Sequence, residues 1–175
     1  CSRAVLAAGA WSTHFATNAG IDLPQLAVRC TVARTKAAPK LFPDLPDVPN
    51  IKGDGFNLRR RADGGYTLAT GHLAEHFLSP KSFKYFMKFL KILNATTRDV
   101  RLRLGAPRSY PGAWGTPSRW SADEVSPFER MRVLNPEPPA AEIARLEARL
   151  GKWFPELAGV ALAEAWAGMI DVTPD

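Results

Sequence analysis

Gly53–His72 reads GDGFNLRRRADGGYTLATGH. At its centre, Asp63-Gly64-Gly65 is a turn signal, because glycine takes positive φ at little steric cost. Before the turn, Phe56, Leu58 and Arg60 alternate with Asn57, Arg59 and Arg61. After it, Tyr66, Leu68 and Thr70 alternate with Thr67 and Ala69. Period-two alternation on both sides of a tight glycine turn predicts a β-hairpin. A hairpin cannot hide its own apolar face, so the rest of the chain must supply further strands and a covering layer.

Upstream, Leu26–Lys36 (LAVRCTVARTK) alternates again and predicts a long strand. Ala27, Arg29, Thr31 and Ala33 share one face of it, and Val28, Cys30, Val32 and Arg34 the other. Between this strand and the hairpin, Pro39, Pro43, Pro46 and Pro49 predict a loop, since proline fixes φ and lacks a ladder donor. Nearer the start, Ala4–Ala8 (AVLAA) is a short apolar run that predicts a buried strand. After Gly9-Ala10-Trp11, Ser12 is placed to cap a short helix over Thr13–Ala19, closed by Gly20. Small residues leading through glycine into a helix serve either packing or the close approach of a ligand, and spacing alone does not choose.

Downstream, Leu73–Leu78 leaves the hairpin and Ser79-Pro80 opens a helix over Lys81–Leu93. Phe83, Phe86, Met87, Leu90 and Leu93 form its predicted buried stripe, with Lys81, Lys84, Lys88 and Lys91 as a solvated face. Val100–Leu104 predicts a strand, Gly105–Ser118 an irregular segment, and Phe128–Leu134 an edge strand. The prolines of Asn135–Pro139 precede the clearest helix, Ala140–Phe154. In it Ile143, Leu146, Leu150 and Trp153 are expected inward, and Glu142, Arg145, Glu147 and Arg149 in water. Val160–Val172 is strand-like in its second half. About six or seven strands and three helices, without strict βαβα alternation, predict an α+β fold: a largely antiparallel sheet with about three flanking helices.

A length of 175 residues permits one domain with a sizeable core. Hydrophobic content of 46% with 23% charged residues excludes a disordered or collagen-like chain. No apolar run nears the ~20 residues of a membrane helix. Cys1 and Cys30 make no disulfide framework, so a reduced, cytoplasmic setting is expected. A start without methionine or signal peptide, and an end at Thr173-Pro174-Asp175, point to a piece of a longer protein.

The net charge of +6 is compatible with nucleic acid, a membrane surface or an acidic substrate, and equally with an ordinary basic surface. The basic residues are dispersed and accompany no nucleic-acid motif, so no nucleic-acid partner is expected. His14, His72 and His76 lack acidic or Cys partners at ligand spacing, and no metal centre is expected. No GxSxG elbow, P-loop or opening GxGxxG occurs. Cys30 reads as a small core residue, since no His or Asp stands near it in sequence to activate it. His72, at the exit of a strand, is a candidate site residue, with an exposed or capping histidine as the alternative.

Five stretches together carry a family resemblance: VLAAGAWS at Val5–Ser12, RCTVART at Arg29–Thr35, NLRRRADGGYTLATGH at Asn57–His72, SPFERMRVLNP at Ser126–Pro136, and WAGMIDVTPD at Trp166–Asp175. In this order they resemble FAD-dependent oxidoreductases of the D-amino-acid oxidase/dehydrogenase superfamily, which includes glycine and sarcosine oxidases. The resemblance covers essentially the whole chain.

The resemblance implies a divided protein. Residues 1–20 match the last strand and short helix of the FAD-binding domain, 21–172 the substrate-binding domain, and 173–175 the return to the FAD domain. The GxGxxG segment that grips the pyrophosphate and the final segment are not in this sequence. FAD is therefore expected of the intact protein and not retained by this piece, whose partners would be the rest of the FAD domain and an amino-acid substrate. By resemblance, Ala8, Gly9 and Ala10 pass close to FAD and Trp11 begins the helix behind them. His72 matches a catalytic position near the substrate, and Asn57 and Arg59 are matched to substrate binding, Arg59 as a two-pronged carboxylate holder. A surface arginine is the alternative for Arg59. Leu68 stands where some oxidases carry a lysine, which implies a dehydrogenase with an acceptor other than O₂. The implied reaction is oxidation of the C–N bond of a D-amino acid, glycine or N-methyl amino acid by hydride transfer to flavin. The rival expectations are a stand-alone basic binding module using Arg59–Arg61 and Lys81–Lys91, or a related oxidoreductase acting on a hydroxy acid. Oligomeric state is left open.

Overall fold

The computed structural model describes residues 2–44, 50–53, 55–69, 74–96 and 100–174. Among them are seven strands: β1 Leu26–Thr35, β2 Ile51–Gly53, β3 Phe56–Arg60, β4 Tyr66–Ala69, β5 Ala74–Phe77, β6 Val100–Arg103 and β7 Leu162–Val172. Five α-helices accompany them: α1 Ser12–Asn18, α2 Pro80–Lys84, α3 Phe86–Thr96, α4 Pro127–Arg130 and α5 Ala140–Trp153. The fold is α+β, as expected, and the hairpin, the long strand β1 and the helix α5 are where the sequence predicts them.

The chain divides into two compact units that interleave in sequence. The first comprises Cys1–Arg29, Glu75–Leu134 and Met169–Asp175; the second comprises Cys30–Ala74 and Asn135–Gly168.

The second unit is built on the hairpin. Leu58 faces Leu68, and Asn57 faces Ala69, across the antiparallel β3–β4 ladder. Gly64 turns the chain at φ +81. The Arg61 N–H closes the loop on the Gly65 carbonyl at 2.8 Å. The ladder widens to β2 on one side, through Ile51↔Leu58, and to β1 on the other, through Ala33↔Leu68. The start of β7 joins β1, with the Lys36 N–H donating to the Ala161 carbonyl at 3.0 Å. Side chains on a strand alternate between faces. Leu58, Tyr66, Leu68 and Ala33 therefore share one face, where α5 covers them with Leu146 and Leu150, joined by Leu41 and Leu157. Leu58, Ala33 and Leu157 are wholly buried. The hairpin thus finds both of the things it lacks alone.

The first unit pairs the start of β1 with β5, Val28 opposite His76 and Arg29 opposite Glu75. β5 is followed by β6 across the sheet, and the Leu78 N–H donates to the Arg103 carbonyl at 2.8 Å. α1 is tied to the strands by Gln25, whose side-chain oxygen accepts from the Thr13 N–H while its amide donates to Asp171, both at 3.0 Å.

Several local expectations fail for identifiable reasons. Ala4–Ala8 forms no strand, and Val5 is 92% exposed, because no described strand offers it a ladder. Phe128–Leu134 is not an edge strand. Ser126 and Glu129 form a reciprocal capping box that starts α4 at Pro127. The predicted helix over Lys81–Leu93 is two helices, interrupted at Tyr85. On α5, Glu142 is buried against Arg145, Arg149 reaches the Gly55 carbonyl at 2.5 Å, and Trp153 is exposed. β2 was not foreseen, since three residues give no period to read.

Candidate functional site

The substrate-binding candidates stand on β3. Leu58 points into the core, so its neighbours Asn57 and Arg59 must project from the opposite face. Thr67 and Ala69 on β4 and Val32 and Arg34 on β1 lie level with them on that face. Among the described residues, the core cluster of this unit lies on the other side. Asn57, Thr67, Ala69 and Val32 are half-buried and Arg59 is exposed, whereas Leu58, Tyr66, Leu68 and Ala33 on the covered face are buried. Arg34 pairs with Glu164 at 2.8 Å. Arg60, on the core side, is spent on Tyr66: its guanidinium lies over the ring and donates to the hydroxyl at 2.9 Å. The result is a sheet with one packed and one open face, the open one carrying a cation and an amide two residues apart. Leu68, matched by resemblance to the lysine of some oxidases, lies on the packed face instead. His72 lies outside the described residues.

The cofactor candidates belong to the first unit. Gly9–Trp11 form a single 3₁₀ turn that runs directly into α1, with the Trp11 N–H donating to the Ala8 carbonyl at 3.0 Å. Gly9 is exposed at φ +51, and a Cβ placed on it would meet nothing within 4 Å. Ala8 is half-buried, Ala10 buried, and Trp11 stands edge-on to His14. The segment therefore offers an open, side-chain-poor surface at Gly9, backed by Ala10 and α1.

Two polar clusters of the first unit escaped the sequence reading. Glu75 is buried with each oxygen held by one arginine: Oε2 by Arg29 and Oε1 by Arg103, each through Nε at 2.8 Å and Nη2 at 2.5 Å. Burial pushes its carboxyl up, but the bonds and charges of the two arginines hold it below the usual range. The second cluster is Lys81 with Thr13, Thr17 and His14. Lys81 Nζ donates to the hydroxyls of Thr13 at 2.9 Å and Thr17 at 3.0 Å. Burial, helped by Lys84, lowers it to about 8. The signal for both clusters was invisible because the paired members are 28 to 68 residues apart. Among the described residues no group of three or more His, Cys, Asp or Glu is placed to hold a metal ion. No helix among them is long and apolar enough to cross a membrane.

The model of the FAD-dependent oxidoreductase family (DAO) matches residues 1–175. No curated protein matches the chain. Among solved structures, the L-amino acid deaminase from Proteus vulgaris is similar at a TM-score of 0.79 and 26% identity, over 97% of this chain and 38% of that one. The L-amino acid deaminase from Proteus myxofaciens, in complex with anthranilate, gives 0.81 and 25%, over 97% of this chain and 36% of that one. The chain thus spans well under half the length of these relatives. Matched by the family model from end to end, and carrying the fold of two flavoenzyme relatives, it belongs to the family of FAD-dependent oxidoreductases.

Proposed function

We propose that this chain is the substrate-binding portion of an FAD-dependent oxidoreductase that oxidises the C–N bond of an amino acid. The observation that carries the reading is the open face of the second unit's sheet, where Arg59 and Asn57 project together while the core cluster of the described residues lies on the other face. A planar guanidinium suits a carboxylate, which it grips with two parallel N–H donors. The Asn57 amide adds a donor or acceptor beside it. Half-buried Thr67, Ala69 and Val32 give that face a surface able to exclude water from a bound α-carbon. In this reading, residues 1–20 belong to the cofactor-binding side and 21–172 to the substrate-binding side. FAD fits the Ala8–Trp11 segment, because Gly9 is open and a flat group approaching it meets no side chain. The flavin, when bound, supplies the two-electron oxidant. The chain's own residues bind, orient and desolvate. The piece alone lacks most cofactor contacts and is inactive in this reading. The named relatives deaminate L-amino acids, which supports the amino-acid class; chirality is decided by experiment.

The test uses the full-length protein that contains this chain. It should show a visible flavin spectrum, bleached anaerobically by D- or L-amino acids and not by 2-hydroxy acids. Arg59→Leu in that protein should raise KM about tenfold or more with flavin content unchanged, since loss of a charge-assisted pair costs roughly 1.5–3 kcal/mol. A colourless protein, or bleaching by hydroxy acids alone, overturns the reading.

A further inference from the structure

We propose that Lys81 anchors a binding site for a small carboxylate anion within the first unit. This inference stands apart from the flavoenzyme reading. Its starting point is the hydrogen-bond inventory of the ammonium. Two of its three N–H groups are taken by Thr13 and Thr17. Both hydroxyls are locked as acceptors towards Lys81, because their own protons go elsewhere: Thr13 to the Leu23 carbonyl at 2.8 Å, Thr17 to the Thr13 carbonyl at 2.6 Å. The lysine is thus positioned by neutral oxygens, with one donor left over.

Among the described residues no carboxylate bonds to the ammonium. The acid that Lys81 feels is Asp22, which is already held by Lys84 at 2.5 Å, Lys88 at 3.8 Å and the Tyr85 hydroxyl at 2.7 Å. Lys84 repels Lys81 from the same helix. His14, on α1, is only 4% exposed, and neither ring nitrogen makes a hydrogen bond of acceptable geometry. Buried beside Lys81, it stays neutral down to about 4. His76, on β5, is also buried and kept neutral near pH 7, its Nδ1 at 2.9 Å from the Ala27 carbonyl. The cluster therefore carries one uncompensated, half-buried positive charge. Such a charge is costly to keep without a counter-ion.

A partly open cavity lies against it, lined by Lys81 and Thr13 together with Gln25, His76, Ser79 and Gly112. Its volume, about 20 Å³, accepts one water-sized atom. Size and charge together select the ligand. One oxygen of a planar carboxylate fits, with the rest of the acid left at the mouth. The polar groups beside the lysine favour a single oxygen over an apolar guest.

The test follows the ε-carbon signals of all lysines by NMR in the full-length protein that contains this chain, labelled with ¹³C-lysine, exchanging sodium acetate for sodium chloride at fixed ionic strength. Saturable acetate binding should raise the Lys81 pKa by about one unit, a tenfold shift towards the ammonium, and leave the other lysines in place. Lys81→Arg, with its fold checked by circular dichroism, should retain saturable acetate uptake by calorimetry, and Thr17→Val should weaken it several-fold. The proposal is overturned if Lys81 does not respond, if all lysines respond alike, if chloride alone produces the full shift, or if phosphate acts and acetate does not.

Discussion

Two histidines of the first unit, equally deep, live by different rules. His76 is satisfied on both sides, with Nε2 at 2.8 Å from the Ser82 hydroxyl and Nδ1 on the Ala27 carbonyl. His14 has no such bonds, and burial, then the charge of Lys81, push its pKa down to about 4 against a weak opposing pull from the Pro117 carbonyl. In the unfolded chain a histidine titrates near ~6.5. Between the two values the unfolded state holds more protons. Stability is therefore complete above that window and falls as pH drops through it, by an amount on the order of 3 kcal/mol. Urea midpoints measured at neutral pH and near pH 4.5 should show the loss. His14→Leu should remove more than half of it, leaving the slope that His76 supplies; an unchanged slope refutes the assignment. None of this was legible in the sequence. Alternation shows which of two adjacent strand residues faces a core, as it did for Leu58 and Arg59, but it is silent on whether a buried imidazole finds a partner.

Among elements, the strands were the more legible. Period two in the hairpin and in β1 survives folding because the two faces meet different surroundings, α5 on one side and an open face on the other. Helical period misled at α2 and α3. The expected stripe of Phe83, Phe86 and Met87 is exposed, at 62%, 50% and 74%, and the buried residues are Ser82, Tyr85 and Phe89. These three recur at intervals of three and four, so the pair does bury a face, rotated by one position. The Tyr85 hydroxyl fixes that rotation through its bond to Asp22, with Lys84 and Lys88 converging on the same carboxylate. A hydrophobic count cannot foresee an anchor that is polar. Phe89→Ala should accordingly cost about 3 kcal/mol, the usual loss for a large buried aromatic. Met87→Lys on the exposed side should stay within about 0.5 kcal/mol of the parent. Equal losses in chemical denaturation would refute the face assignment.

At the scale of the whole molecule, the order of segments matters more than their composition. Each compact unit is assembled from pieces separated by tens of residues, and β1 passes from one to the other between Arg29 and Cys30. Periodicity is a local signal and cannot announce such interleaving; the tally of strands and helices carried the α+β class, and the order of the motifs carried the family. The same contrast applies to Ala4–Ala8, a run whose composition reads as interior strand yet which lies open, with Val5 and Leu6 exposed, leading straight to Gly9. If this end meets the cofactor in the intact enzyme, what matters at Gly9 is empty space. Backbone strain and crowding can be separated there. Any L-residue pays for φ +51 at that position, roughly 1 kcal/mol, so Gly9→Ala and Gly9→Val should lose similar stability. Only valine adds branches that project into the space a flat ring system would occupy. In the full-length protein, Gly9→Ala should therefore keep most of its flavin through desalting and Gly9→Val should lose it, with matching circular dichroism. Equal flavin retention by the two variants would mean that the cofactor does not approach this turn.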